Sequence, residues 1–455
     1  MKQVRVWLAI LICKMARFGL RVLGRGGTNL PGKLALRVCP DLLGVLGQQV
    51  TTVIITGTNG KTTSARMLEQ CFQNGAIPAF SNRSGANLLP GITAEFAAHA
   101  SLGGKMRLHY AVIECDEAAF RHVSKYVDAK VVLVTNVFRD QVDRFGDVTH
   151  TLASIQAGIA NSPNATVCLN ADCPLLLAMM GELPNPVQYF GVEGALLETD
   201  DDAGEVTRCA CGAEYAYDYK TYGHLGAYRC PSCDSVRPAL DVAVTAILGE
   251  TPDTSQIVVR VEGEPYEVTV NLPGAYNIYN AAGVIAVAET MNLGMSVTRA
   301  ALAEFRGGFG RMERLPTGEV EARMILVKNT VGCSQALRYV QSQKGAVTLV
   351  MCLNDRAADG TDISWLWDVD AALIREMGDR LTHVICSGTR ATDLAAWMEQ
   401  SSVPAERILV ETDYDELLAG IGQSKVPVYI LPTYTAMLEL REKLAKRYGL
   451  GQFWE

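Results

Sequence analysis

The chain has 455 residues, 49% of them apolar, with 41 glycines and a formal net charge of −8. That length exceeds what a single hydrophobic core organises and predicts about three domains. The composition suits α/β architecture with short turns, and the acidic balance argues against a general nucleic-acid binder.

The N-terminus carries an apolar run, Val6-Trp7-Leu8-Ala9-Ile10-Leu11-Ile12-Cys13, which follows Lys2 and Arg5 and is broken by Lys14 and Arg17. It is too short to span a bilayer, and no small-residue cleavage site follows it. Lys2, Arg5, Lys14, Arg17, Arg21 and Arg25 make this stretch basic. It reads either as a first helix packed on the next domain or as a segment resting on an anionic membrane surface.

Val53–Ile55 form a buried parallel strand that runs into Thr56-Gly57-Thr58-Asn59-Gly60-Lys61-Thr62-Thr63. An apolar strand, a glycine turn, a lysine and a helix start together make a cradle for a triphosphate. Gly57 and Gly60 let backbone N–H groups turn inward, and the helix adds its positive dipole end. Lys61 can reach the β- and γ-phosphates of ATP, and Thr62 or Thr63 can ligate Mg²⁺. The two glycines stand closer together than the general phosphate-loop rule has them.

Strands and helices alternate from there to about residue 190, with strands expected at Tyr110–Glu114, Val131–Thr135 and Ala165–Leu169. This pattern predicts a doubly wound sheet with ligands at the C-terminal strand ends. Glu114 closes its strand and is followed by Asp116 and Glu117, so it can face the nucleotide's metal or serve only as a helix N-terminal acid. Thr135-Asn136 likewise ends a strand; Asp140 and Asp143 beyond it suit the metal site or a helix cap.

Between Thr199 and Pro238 the chain turns acidic, tyrosine-rich and cysteine-bearing. Cys209-Ala210-Cys211 and Cys230-Pro231-Ser232-Cys233 are two knuckles separated by eighteen residues, a spacing that lets four thiolates converge on one structural Zn²⁺. Four sulfurs leave no open coordination position, so that metal organises a small lobe and does not catalyse. The remaining nine cysteines stand singly in apolar segments, a usage that suits a reducing cytosol. Strands return at Ile257–Val261 and Tyr266–Asn271, a helix at Tyr276–Met291, and a further α/β segment with strands at Ile325–Lys328, Val347–Leu353, His383–Ser387, Arg407–Val410 and Val428–Leu431. The chain therefore divides into a helical, basic segment (1–45), a central ATP-binding domain (46–312) with a zinc ribbon inserted at 205–238, and a Rossmann-like C-terminal domain (313–455).

In order along the chain, Thr56–Thr62, Asn82-Arg83-Ser84-Gly85-Ala86-Asn87, Glu114, Thr135-Asn136 with Asp140, Pro273-Gly274-Ala275-Tyr276-Asn277-Ile278-Tyr279-Asn280 and Gly310-Arg311-Met312-Glu313-Arg314 resemble the motifs of the Mur ligase family. The resemblance implies a three-domain α/β fold. Asn82, Arg83, Ser84 and Asn87 would lie on the substrate side, Thr62 and Glu114 would hold Mg²⁺, and Asn277 and Arg311 would position adenine and ribose or phosphate. Two departures stand out. Gln141 occupies a position where members that add amino acids usually carry histidine, and no lysine lies between Lys130 and Lys220 to serve as the carbamylated second-metal support. The C-terminal segment also lacks the usual grip for an incoming amino acid, with Val327-Lys328-Asn329-Thr330-Val331-Gly332 in that region.

Together with the cysteine insert, although its first knuckle is C-x-C and not C-x-x-C, and with Asp359-Gly360-Thr361-Asp362-Ile363-Ser364-Trp365-Leu366-Trp367-Asp368, these departures resemble the branch that amidates lipid II. That resemblance implies phosphorylation of the α-carboxylate of D-glutamate and displacement by ammonia to give D-isoglutamine. The chain has no nucleophile elbow of its own, so a separate glutaminase subunit of the GatD type is implied. Asp362, or its neighbours Asp359 and Asp368, would orient the histidine of the partner's Cys-His pair, and the protein would work in the cytoplasm near the membrane's inner face. Two other readings stay open: a Mur or folylpolyglutamate ligase that adds an amino acid, and a non-catalytic nucleotide-binding scaffold.

Overall fold

The computed structural model describes residues 2–22, 29–82, 86–138, 148–180, 183–197, 207–308, 310–317 and 319–449. Within them two sheets carry the architecture. The larger has nine strands and the smaller six.

In the large sheet β1 (Thr51–Thr56) lies between β3 (Tyr110–Glu114) and β4 (Ala129–Val134), with β2 (Ala79–Ser81), β5 (Thr166–Asn170) and β6 (Val187–Val192) outside them, all parallel. Parallel strands covered on both faces read as continuous apolar runs, and Val53, Ile54 and Ile55 are fully buried. The sequence order reverses around β1, which opens a crevice at the C-terminal strand ends. Register fixes what meets there. Ile55 pairs with Glu114 and Thr56 with Val134, so Gly57, Glu114 and Thr135 arrive at one edge. Beyond β6, β9 (Val242–Glu250) continues the parallel order, and β10 (Ser255–Val261) and β11 (Glu264–Val270) finish the sheet as an antiparallel meander.

The cysteine segment forms its own two-stranded ribbon, β7 (Ala216–Lys220) with β8 (Gly226–Arg229). It is docked by a buried network around Asp172, which follows β5. Asp172 accepts hydrogen bonds from Arg237 (2.7 Å), the Tyr279 hydroxyl (2.5 Å) and Val192 N–H (2.8 Å), and its own carbonyl accepts from Gly226 N–H (2.9 Å). Burial pushes the Asp172 carboxyl up, and the Arg237 guanidinium opposes that push.

The N-terminal segment forms helices Lys2–Val22, Asn29–Val38 and Leu42–Gly47. Val6, Ile10, Ala35, Leu42 and Leu46 join the same continuous core as the large sheet. Packing on the next element, one of the two readings of this stretch, therefore holds for one face of the first helix.

In the small sheet β13 (Glu321–Ile325), β17 (Val428–Pro432), β14 (Val347–Cys352), β15 (Leu381–Ser387) and β16 (Ile408–Val410) are parallel, a Rossmann-like arrangement with β12 (Arg311–Pro316) antiparallel at its edge. The strand expected at Ile325–Lys328 is displaced. It runs Glu321–Ile325 because Glu321 and Arg323 alternate with buried Ala322 and Met324 along a half-covered strand, while Leu326–Lys328 lead into the Asn329 cap of helix Thr330–Ser342. The arginine motif at Arg311 is itself the start of β12. Inside it Glu313 is buried, accepting from Gly310 N–H (2.8 Å) and from Arg441 Nε of the last described helix (2.9 Å).

Candidate functional site

The turn after β1 is built against the strand beside it. Gly57 (φ +120°) passes so close to the end of β4 that a Cβ would meet Thr135 Oγ1 at 2.3 Å, and Gly60 (φ +88°) leaves room that Asn280 Oδ1 fills at 2.1 Å. Between them Thr58 N–H donates to Asn136 O (2.9 Å), Asn59 N–H to Asn136 Oδ1 (2.9 Å) and Thr135 Oγ1 to Asn59 O (2.7 Å). Phe138 N–H donates to Thr58 Oγ1 (3.0 Å). Both glycines hold backbone conformations that side chains disfavour, and the helix Lys61–Asn74 begins at once.

Lys61 is buried and donates to Gly57 O, to Thr58 O (3.2 Å) and to Glu117 Oε1 (3.1 Å). Burial works against its charge, but Glu117, Asp116 and Glu114 outweigh burial and hold its pKa above the ordinary lysine value. Glu117 moves upward, driven by burial and opposed by Lys61 and Lys328. Asp116 caps the helix Glu117–Val123, accepting from Ala118 N–H (3.0 Å) and Ala119 N–H (3.2 Å).

Glu114 ends β3 buried, with Asn87 Nδ2 3.5 Å from its Oε1. Asn82 clamps the backbone there, accepting from Glu114 N–H (2.9 Å) and donating to Glu114 O (2.7 Å). Asn82 and Asn87 thus sit beside Glu114. Arg83, Ser84, Asp140, Gln141 and Asp143 lie outside the described residues.

A cleft runs from this turn to the small sheet. Asn59, Gly60 and Thr63 line it from the loop, Tyr276, Asn277 and Asn280 from helix Ala275–Thr290, and Arg311 and Gln335 from the C-terminal side. Asn277 is fixed by donating to Pro273 O (2.7 Å). Arg311 Nη2 lies 3.5 Å from Thr62 Oγ1, and Asn329 Nδ2 3.3 Å from Asn59 Oδ1, so both sheets touch the loop.

Sequence reasoning missed three contributors. Glu117 is the acid that grips Lys61, Asn329 bonds the C-terminal side to Asn59 of the turn, and Tyr222 lines the cleft from the cysteine lobe. Glu117 was visible only as one acid of three, and nothing local marks Tyr222. Beside Tyr222, the His224 ring lies tilted against Phe138 at 4.6 Å between centroids, with its Nε2 3.4 Å from Cys173 Sγ. Burial pushes the His224 imidazole down to about 4. The fold therefore favours neutral His224, and that stability is complete above the unfolded value near 6.5 and lost as pH falls toward 4. The loss amounts to about 3 kcal/mol. Urea midpoints at pH 7.5 and 4.5 are expected to differ more for the wild type than for His224→Asn; equal pH sensitivity would refute this.

The Sγ atoms of Cys209, Cys211, Cys230 and Cys233 all lie within 4.8 Å of one another. Cys209–Cys233 and Cys211–Cys230 separations are 3.5 and 3.4 Å. Four thiolates at about 2.3 Å from one zinc ion would stand roughly 3.8 Å apart, so the residues fit a single tetrahedral metal. The nine other cysteines are buried and form no disulfide.

Of the acidic loop after β14, Asp359 is buried, and both its oxygens serve the last described helix, accepting from Thr435 N–H (2.7 Å) and Thr435 Oγ1 (2.5 Å). Asp362 is exposed, one oxygen accepting from Ser364 N–H (2.8 Å), and Asp368 is also exposed. Trp367 stands 43% exposed beside them. The loop is tethered to the cleft, since Thr330 Oγ1 donates to Trp365 O (3.0 Å) one residue beyond Asn329.

A phosphate loop facing a second parallel sheet across a cleft is the arrangement of Mur-type ligases. MurF from Acinetobacter baumannii superposes with a TM-score of 0.64 at 16% identity, covering 91% of this chain and 80% of that one. The folylpolyglutamate synthase of Mycobacterium tuberculosis, solved with ADP and AMPPCP, gives 0.61 at 14%, covering 89% and 93%. Residues 55–224 match the family described as Mur ligase middle domain, and residues 326–437 the family described as MurT ligase C-terminal. Over 449 residues the chain is 35% identical to the lipid II isoglutaminyl synthase (glutamine-hydrolyzing) subunit MurT of Streptococcus pneumoniae (strain ATCC BAA-255 / R6), covering 98% of both. It is 30% identical over 453 residues to the protein of that name from Staphylococcus aureus (strain COL), covering 99% of this chain and 100% of the other. The chain belongs to the MurT family of Mur-type ligases.

Proposed function

We propose that this protein is the synthetase subunit of a lipid II isoglutaminyl synthase, converting the α-carboxylate of D-glutamate in the stem peptide to an amide at the expense of ATP. One observation carries the reading. Lys61, Thr62 and Glu114 gather under a glycine turn that both sheets contact, in a chain alignable over nearly its whole length with proteins of that name.

ATP occupies the cleft with adenine toward Asn277 and Tyr222, and Arg311 reaches the ribose or phosphates. The backbone of Gly57, Thr58, Asn59 and Gly60, with Thr63 at the helix start, holds the phosphates. Thr62 and Glu114 would hold Mg²⁺, which supplies charge neutralisation on the phosphates. Lys61, kept cationic by its surrounding acids, stabilises charge on the γ-phosphoryl group as it passes to a carboxylate oxygen, giving an acyl phosphate and ADP. Asn82, Arg83, Ser84 and Asn87 belong to the substrate side. Ammonia then attacks the carbonyl carbon with its lone pair, the carbon–oxygen bond to phosphate breaks, inorganic phosphate leaves, and a proton is released from nitrogen. The four cysteines hold a structural zinc ion.

Ammonia needs no amino-acid pocket, which favours amidation over the addition of an amino acid, and the charged, buried Lys61 argues against a non-catalytic scaffold. Neutral ammonia is scarce at neutral pH, so a GatD-type glutaminase is the partner, and the lipid-linked substrate places the reaction in the cytoplasm at the membrane's inner face. Asp362 is the residue favoured to orient the partner's histidine over Asp359, which is spent within the fold, and Asp368, exposed as well, is its alternative. With the glutaminase bound, Asp362→Asn is expected to lower glutamine-dependent amidation by about 10³-fold or more while ammonium salts still support the reaction. Undiminished glutamine use would remove Asp362 from that role.

A further inference from the structure

The helix Lys2–Val22 presents two apolar faces. Val6, Ala9, Ile10 and Cys13 are buried against the fold. On the other side Val4, Trp7, Leu8, Met15, Phe18 and Val22 are between 39% and 70% exposed. With 3.6 residues per turn these six fall within a sector of about 100°, on the opposite side of the axis from the buried four. Single exposed apolar side chains are ordinary, whereas a contiguous strip along one helix marks a binding surface.

Charge identifies what it binds. The helix holds Lys2, Arg5, Lys14, Arg17 and Arg21 and no acidic residue, in a chain of net charge −8. Lys2 pairs with Asp41 (3.5 Å), Arg17 with Glu95 (3.1 Å), and Lys14 Nζ donates to Ala98 O and Ala100 O. Arg5 and Arg21 flank the apolar sector on its two sides, and neither pairs with a described carboxylate. An apolar strip edged by guanidinium groups complements a surface that is apolar beneath and negative above. A second copy of the same face would instead bring cations against cations.

We propose that the outward face of helix Lys2–Val22 docks the protein on an anionic lipid bilayer. No described helix is long and apolar enough to cross a membrane, so this one lies in the interface plane. The docking also bears on the cleft. Helix Leu89–His99, which receives the Lys14 and Arg17 contacts, starts two residues after Asn87, the neighbour of Glu114. The proposal rests on the helix and not on the substrate, and its test therefore needs no substrate.

The full-length protein is to be co-sedimented with phosphatidylcholine vesicles with and without phosphatidylglycerol. Binding is expected only with the anionic lipid and should weaken as salt rises. Met15→Glu with Phe18→Glu is expected to reduce it about tenfold or more. Arg5→Gln with Arg21→Gln should reduce it about thirtyfold at low salt, with thermal midpoints unchanged because these side chains are exposed. On the unmodified protein, brominated lipid should quench a component of tryptophan fluorescence that Trp7→Phe removes. Absence of binding to anionic vesicles overturns the proposal, as does binding that both double variants retain. A dimer dissociated by Phe18→Glu, with no vesicle binding, would assign the face to a second copy and overturn it as well.

Discussion

Lys61→Met is expected to lower the ATP-dependent amidation of the muropeptide substrate by about 10³-fold. Methionine keeps the length and apolar stem of lysine and removes the charge. The native ammonium is held by Gly57 O, Thr58 O and Glu117, with Glu114 and Asp116 adding to a field that keeps it protonated. Its removal deletes the cation that the turn itself carries and takes the Lys61 contact from buried Glu117. Burial already pushes the Glu117 carboxyl up, and losing Lys61 pushes it further toward the uncharged form, so the variant should still fold. The loss should fall on turnover more than on the apparent affinity for the peptide, since the charge acts on the migrating phosphoryl group. The measurement is ADP release and amide formation with ammonium chloride as nitrogen source, which bypasses the glutaminase. Activity within a few-fold of wild type would be incompatible with the proposed chemistry.

The second large effect concerns the metal that the four cysteines would hold. Cys230→Ser, or exhaustive chelation, is expected to unfold the ribbon, because structural zinc supplies about 10 kcal/mol or more of apparent folding free energy in small lobes. The consequence should reach the nucleotide. Tyr222, between β7 and β8, lines the cleft and stacks on Phe138, and His224 packs tilted against the same ring, whose N–H holds Thr58 of the glycine turn. Arg237 just beyond the second knuckle completes the buried Asp172 network with Tyr279. Loss of the lobe would take Arg237 from Asp172, leaving that buried carboxyl without its counter-charge, and free one wall of the cleft. Nucleotide affinity should fall about tenfold or more, with zinc content read by elemental analysis and ADP binding by calorimetry. A zinc-free protein with unchanged ADP affinity would reduce the lobe to a separate appendage.

The legible parts of this protein were those whose chemistry sits within a few consecutive residues. Thr56–Thr63 declares a phosphate turn because the glycines, the lysine and the helix start are contiguous, and the strands at Tyr110–Glu114 and Val428–Pro432 declare themselves as unbroken apolar runs. Amphipathic strands were harder. Glu321–Ile325 was displaced toward Leu326-Val327 because apolar content, taken alone, favours the wrong end of a half-covered strand. The acidic loop at 359–368 is legible as a group, but nothing in its composition separates Asp359, which serves the last described helix, from exposed Asp362.

By itself the sequence determined the glycine turn with its lysine and helix start, the four converging thiols, the alternating α/β pattern and the basic, apolar first helix, since each depends on local backbone geometry or on short spacing. Only the tertiary structure decided that Glu117 grips Lys61, that Tyr222 lines the cleft and Asn329 reaches Asn59 from two different elements, and that one side of the first helix is left facing outward. Those relations are set by strand order and register, which bring together residues tens to hundreds of positions apart, and no local pattern records which of several equivalent acids or aromatics will arrive.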